Sequence, residues 1–281
     1  MRGMKPLTLA LSIEWDDCTV ALAGSGLPAP HAPSGIALSA RMLMNAQGGP
    51  QASRDALALA DMALQRAGQP LSAVERFCVN IGPGAFTSLR IAVGLVQGLA
   101  LPRQCPVHAV GSLPALAATV PAWRFPLEES SRPWLLCTAL DARMQECYWA
   151  AFLCRPGHWP EPVLAPAVSG AEAAAQAFGA LSRQSLAEER VTGLHLAGNG
   201  FGEGFPALRT WALEAGQDAD LAASRRPTAE ALLALADATD APPSVPAREV
   251  RPLYVRDRVA LDRDEQRQLA AARAAARQGG A

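Results

Sequence analysis

Asn80–Leu101, NIGPGAFTSLRIAVGLVQGLAL, is the stretch on which the reading of this 281-residue chain turns. A β-type run, Phe77–Ile81, enters the tight turn Gly82-Pro83-Gly84, and Thr87 or Ser88 then stands where a helix N-cap is expected. The helix runs on through Leu101 and is apolar almost all round, with Arg90 and Gln97 as its polar breaks. A helix apolar on all sides expects cover on all sides. It is shorter than the ~20 apolar residues a bilayer span needs. Gly94 and Gly98 lie one turn apart, and a small-xxx-small pair of this kind lets two helix backbones approach closely, as membrane helices document best. One face should therefore pack on its own sheet and the other on a neighbouring helix, a second subunit included. The glycine turn has two readings. Its free N–H groups at a helix start suit a phosphate, or Gly82 and Gly84 only let the chain reverse. No lysine follows and no GxGxxG is present, so neither nucleotide fingerprint is met.

Half of the residues are apolar, enough for a substantial core in one large or two small domains. The formal net charge is −1, which leaves no strong electrostatic footprint for nucleic acid. The N-terminal MRGMKPLTLALSIEW has neither a long apolar region nor a small-residue cleavage site, so the expectation is a cytoplasmic chain with no membrane association. Cys18, Cys78, Cys105, Cys137, Cys147 and Cys154 form no CxxC and mostly sit in apolar runs, which suits buried, reduced thiols. His31, His108, His158 and His195 show no HxxxH or HExxH spacing, and no GxSxG elbow occurs.

Leu7–Ile13 and Cys18–Ala23 read as a hairpin around Glu14-Trp15-Asp16-Asp17, whose carboxylates read as a solvated polar turn rather than a metal site. Ile36–Met44 is a third strand, Ser53 caps a helix Arg54–Ala67, and Gly68 ends it. After the central stretch, Val107–Val110 is a strand and Ser112 caps a helix through Thr119. Pro121–Pro133 is the best internal boundary, giving domains 1–120 and 121–281. Trp134–Asp141 and Gln145–Leu153 are strands flanking a turn at Asp141–Met144, and Arg155–Ser169, with its prolines, reads as irregular. Gly170–Gln184 is helical, Val191–Ala197 a strand and Gly198-Asn199-Gly200 a turn. Thr228–Ala238 is a helix behind Pro227. Ala241–Pro246 is a linker, Val250–Val255 is extended, and Asp262–Ala281 reads as a solvated Ala/Arg-rich helix carrying Arg263, Arg267, Arg273 and Arg277. A β-β-β-α-β-α unit followed by a second strand-led unit implies a duplicated, two-lobed α/β fold with mixed sheets.

GPGAFTSLRIAVGLVQGLAL resembles the GPGSFTGLRIGxAxxKGLA signature of the TsaB family, also called YeaZ. The similarity continues in AVGSLPALA (109–117), LDARMQECYWA (140–150), LAGNG (196–200), SRRPTAEALLALA (224–236) and RPLYVR (251–256), in order along nearly the whole chain. The resemblance implies the actin-like, sugar-kinase-like ATPase fold with a degenerate nucleotide site. It implies a non-catalytic subunit that pairs with TsaD and the ATPase TsaE, so that TsaD moves a threonylcarbamoyl group onto the adenosine beside the tRNA anticodon. No catalytic residue, metal or bound cofactor is implied. ATP enters through the partners, and tRNA mainly through the complex. The pairing helices would be those matching Arg54–Ala67 and Thr87–Leu101, with Leu57, Leu64, Phe86, Thr87, Arg90, Gly94 and Gly98 at the interface, while Gly82, Pro83, Gly84, Asp141 and Arg143 form structural turns. Like the family, the chain lacks TsaD's HxxxH pair. It departs from the family in Ser12, Ile13 and Glu14, where Asp-Thr-Ser is usual, and in Ala52, Ser53 and Arg54, where His-Ser-Glu is common. Ala85 and Ser88 stand for a Ser and a Gly of the signature.

Two other classes of function stay open at this point. A glycoprotease-like peptidase would need a metal pair or an activated nucleophile with its base, and Asp141, Arg143 and Tyr148 cluster at one turn without forming such a set. A nucleotide-binding module would use Gly82–Gly84 without turnover. A homodimer on the pairing surface is equally open.

Overall fold

Two sheets, each built from the same strand plan, carry the molecule. The computed structural model describes residues 6–14, 17–25, 27, 39–42, 50–124 and 132–256; side chains are described from 55 onward and in the strands before 28. In chain order the elements are β1 (Thr8–Ile13), β2 (Cys18–Ala23), β3 (Ser39–Met42), α1 (Pro50–Arg66), β4 (Arg76–Gly82), α2 (Phe86–Ala100), β5 (Pro106–Gly111), α3 (Ser112–Ala115) and α4 (Pro121–Arg124). The second half adds β6 (Trp134–Arg143), β7 (Glu146–Cys154), β8 (Glu161–Gly170), α5 (Ala171–Ala187), β9 (Leu194–Ala197), α6 (Pro206–Glu214), α7 (Ala219–Ser224), α8 (Ala229–Ala236) and β10 (Val245–Pro246).

The first sheet has the order β10-β5-β4-β1-β2-β3 and the second β8-β7-β6-β9. In each, an antiparallel three-strand meander is followed by a helix and a strand that returns parallel to the first: β4 beside β1, and β9 beside β6. That duplication is the two-lobed α/β plan with mixed sheets that the sequence implied. β1 is buried along its whole length because both faces are covered. Leu9, Leu11 and Ile13 point to the layer under α1 and α2, whereas Ala10 faces the layer shared with the second lobe. Leu135 and Cys137 of β6 face α5, α6 and α7, and Leu136 faces inward. The chain then returns to the first sheet. α8 lies against β1, β2 and β4, and β10 pairs with β5, so a division at 120/121 separates these elements from the sheet they cover.

Several local expectations need correction. α2 begins after Ala85, which makes no side-chain cap; Thr87 and Ser88 lie inside the first turn, and the Ser88 hydroxyl instead donates to the Glu14 carbonyl at 3.1 Å. α1 starts at Pro50, upstream of Ser53. Ser112 is the first residue of α3 rather than its cap, because its hydroxyl is drawn to Asn80 Oδ1 at 2.8 Å. The proline-rich Arg155–Ser169 is largely strand β8. It lies at a sheet edge, where proline's missing N–H costs no ladder bond, and Pro166 falls at an irregularity in the pairing. α6 and α7 were not anticipated, and Val250–Val255 is extended without forming a strand of either sheet. Thr228 is the N-cap of α8 rather than its first residue, accepting from Ala231 N at 3.3 Å. Trp15, Asp16, His31 and the arginines of 262–281 lie outside the described residues.

His108 of β5 is buried against Trp159, its Nε2 has no hydrogen-bond partner, and burial, aided by Arg76 and opposed by Asp237, lowers its pKa to about 4. The unfolded chain therefore takes up this proton first as pH falls, and stability is lost between 6.5 and 4. The loss reaches about 2 kcal/mol by pH 5. His195, lowered by burial and by Arg225, acts in the same direction. His108→Leu should lose about that much less between pH 7.5 and pH 5 in urea titrations. An unchanged pH slope would refute the assignment.

Candidate functional site

Helix α2 presents two unlike faces. Leu89, Ala92, Val93, Val96 and Ala100 go under, onto the sheet, while Thr87, Arg90, Gly94 and Gly98 stand in the open along the other side. Among the described residues, the all-round cover expected of this helix is thus incomplete. A Cβ placed at Gly94 or at Gly98 meets nothing within 4 Å, so neither glycine is demanded by the chain's own packing. Beside this face, Leu57 of α1 is 43 % exposed and, with Leu95 and Leu99, rims a narrow apolar crevice floored by Leu9 and Phe77. Leu64 does not join it. It lies two turns along the same face of α1 and is buried in the layer beneath that helix. Phe86 is half-buried at the start of α2, with the Arg90 guanidinium 4.0 Å from its ring centroid.

The glycine turn is held from behind by Asn80, which is 0 % exposed. Its Oδ1 accepts from Gly82 N (3.0 Å) and from Ser112 Oγ (2.8 Å), and its Nδ2 donates to Ser12 Oγ (3.1 Å) and to Glu14 Oε1 (2.5 Å). Ser12 in turn donates to Pro227 O at 2.6 Å. One amide thus ties β1, β4, α3 and the approach to α8 together. Gly82 has φ 106°, and a Cβ there would lie 2.6 Å from Leu89 Cδ1, so glycine is obligatory. Glu14 and Asp17 are buried, not solvated as the sequence suggested. A Cβ at Gly84 would sit 3.3 Å from Glu14 Oε2, which places a carboxylate against the turn. Two departures from the signature, Glu14 and Ser88, meet at this point.

Asp141 and Arg143 shape the β6–β7 hairpin. Asp141 Oδ1 accepts from Arg143 N at 2.6 Å, its Oδ2 pairs with Arg143 Nη1 at 3.3 Å, and its own N donates to Asn199 Oδ1 at 2.9 Å. Gly198, at φ 116°, lies so close to the Ala139 carbonyl that a Cβ would be 2.0 Å from that oxygen. Gly84, Phe86, Arg143, Tyr148, Tyr254 and Arg256 line a pocket of about 190 Å³ where the hairpin approaches the glycine turn. Asn80, Tyr254 and Arg256 were not singled out by sequence reasoning. The only signal for them was that two lie in the RPLYVR stretch and one opens the central stretch.

Residues 43–232 match the family model for tRNA N6-adenosine threonylcarbamoyltransferase, TsaD. The structure of YeaZ from Pseudomonas aeruginosa superposes with a TM-score of 0.56 at 27 % identity, over 89 % of this chain and 99 % of that one. The tRNA threonylcarbamoyladenosine biosynthesis protein TsaB of Escherichia coli (strain K12) is 36 % identical over 89 residues, 32 % of this chain and 36 % of that protein. Its counterpart in Haemophilus influenzae is 33 % identical over 94 residues, 34 % of this chain and 37 % of that protein. The chain belongs to the TsaB/YeaZ family. The alignments span about a third of the length of these two TsaB proteins, whereas the likeness to YeaZ covers both lobes. In this TsaB/YeaZ chain no group of three His, Cys, Asp or Glu side chains suited to a metal occurs among the described residues, and none of their helices is long and apolar enough to cross a membrane.

Proposed function

We propose that this chain is a non-catalytic subunit of tRNA threonylcarbamoyladenosine synthesis that pairs with TsaD, and works with TsaE, in the cytoplasm. The observation that carries the reading is the open face of α2. Among the described residues, nothing covers Gly94 and Gly98 of this apolar helix and nothing packs within 4 Å of a Cβ at either, next to an apolar crevice rimmed by Leu57. The names of its relatives support the choice of partner. The TsaB proteins it resembles are named for this biosynthesis, and TsaD for the transfer itself. ATP and tRNA then belong chiefly to the partners.

Neither rival reading draws comparable support. The thiols of Cys18, Cys78 and Cys147 are pushed up to about 12, chiefly by burial, the opposite of what a cysteine nucleophile needs. A phosphate at Gly82–Gly84 would meet the Glu14 carboxylate.

The test is co-purification with TsaD from the same genome, followed by reconstituted tRNA modification with and without this chain. A stable complex whose activity disappears on omission establishes the subunit. No complex, together with full modification in its absence, removes the proposal.

A further inference from the structure

The segment after β10 runs beside α2 and then crosses to the second lobe. Gln97 Nε2 donates to the carbonyls of Ala247 and Val250, each at 3.1 Å. Leu253 N donates to Ile81 O at 2.7 Å, on the strand that leads into the glycine turn. The Tyr254 ring lies 5.3 Å from Phe86, and its hydroxyl accepts from Arg90 Nε at 2.9 Å. All of these anchors belong to the first lobe. Two residues later, Arg256 Nη2 donates to Ala142 O at 3.2 Å and contacts the Glu146 carboxylate, while Nη1 approaches Met144 Sδ at 3.9 Å. Those partners are all on the β6–β7 hairpin of the second lobe.

The hairpin so gripped is an unusual one. Arg143, Met144 and Gln145 follow one another at φ 65°, 57° and 63°. Left-handed backbone brings Cβ against the carbonyl, so non-glycine residues visit it singly. Three in succession persist only where the surroundings hold them. Asp141 holds one end through Arg143 N. The other holder is Arg256, which bonds the carbonyl before the run and the side chain after it. Met144 at the tip is 65 % exposed.

We propose that Tyr254 and Arg256 form an interlobe staple that keeps the β6–β7 hairpin in its left-handed conformation, coupling the start of α2 to Met144. The arrangement gives one physical role to three stretches far apart in sequence. Phe86 and Arg90 are the first anchor, Tyr254–Arg256 the bridge, and Ala142–Glu146 the second anchor. The coupling is a property of the isolated chain and holds whether or not TsaD is the partner.

Hydrogen exchange on the full chain tests it. In Tyr254→Ala, a change confined to first-lobe contacts, amides of 142–148 should exchange at least ten-fold faster, while those of β4 and β9 keep their rates. Arg256→Ala should do the same, and Tyr254→Phe, which keeps the ring stack, should give a smaller rise. Met144→Gly accepts positive φ freely, so adding Arg256→Ala to it should accelerate the hairpin less than Arg256→Ala does alone. Unchanged hairpin exchange in a folded Tyr254→Ala overturns the staple. So does an equal rise across every second-lobe peptide, since that reports general destabilisation.

Discussion

Gly94→Leu and Gly98→Leu are each expected to weaken binding to TsaD by a hundred-fold or more while leaving the isolated chain at least as stable as before. The two halves of that expectation have separate grounds. Within the chain, a Cβ at either position meets nothing within 4 Å, so a side chain there has room. Glycine in an exposed helix interior costs about 1 kcal/mol relative to a good helix former such as leucine. The melting temperature should therefore hold or rise by a few degrees. Across an interface the same leucine stands where a second helix backbone must come close. A hundred-fold loss corresponds to about 2.7 kcal/mol, well within what steric exclusion at a packed contact imposes. Leu57→Ser, at the crevice rim, should weaken binding less, because only one exposed apolar side chain is removed. Leu64→Ala should act differently, lowering the melting temperature, since Leu64 lies in the core under α1. If both glycine variants bind TsaD at wild-type affinity, the α2 face is not the contact.

The largest loss of stability is expected at Asn80. Asn80→Leu strands the Gly82 N–H and the Ser112 hydroxyl, and takes the amide donor away from Ser12 Oγ and the Glu14 carboxylate. Each buried polar group left unsatisfied costs roughly 1–3 kcal/mol, so a total of about 4 kcal/mol or more is expected, a large part of a typical domain's stability. Asn80→Asp keeps the shape but points an oxygen at Glu14 Oε1, 2.5 Å away. Two carboxylates so close raise each other's pKa, and the pair retains a proton that the unfolded chain has released. Its folded pKa is therefore raised, so the defect is greatest at neutral pH and shrinks as the solution is acidified through that pKa. Urea midpoints of both variants between pH 7.5 and pH 5 check this. An Asn80→Leu variant within 1 kcal/mol of wild type would mean that the amide hub does not hold the turn.

Much of the architecture was legible because it rests on local rules. The alternating and continuous apolar runs at Thr8–Ile13, Cys18–Ala23 and Trp134–Asp141 mark strands wherever they are placed. Gly68 acts on backbone groups only a few residues away, and the helix end it implied stands. The central stretch and its companions along the chain were enough to indicate the family, since a signature is itself a linear pattern.

What the tertiary structure alone decided concerns residues whose partners are distant in sequence. Ser88 and Ser112 have the chemistry of caps, and nothing local reveals that Glu14 O and Asn80 Oδ1 take their hydroxyls instead. Glu14 and Asp17 belong to a polar turn by composition and are buried by what packs over them. Leu57 and Leu64 share one apolar helix pattern, and only the angle at which α1 meets the sheet sends one outward and the other into the core. Tyr254 and Arg256 sit in a short extended segment with no periodicity to read, yet they connect α2 to a hairpin more than a hundred residues upstream. A linear pattern records the free-energy preferences of neighbours along the chain. Long-range hydrogen bonds and the open face of α2 exist only once the two sheets have been brought together.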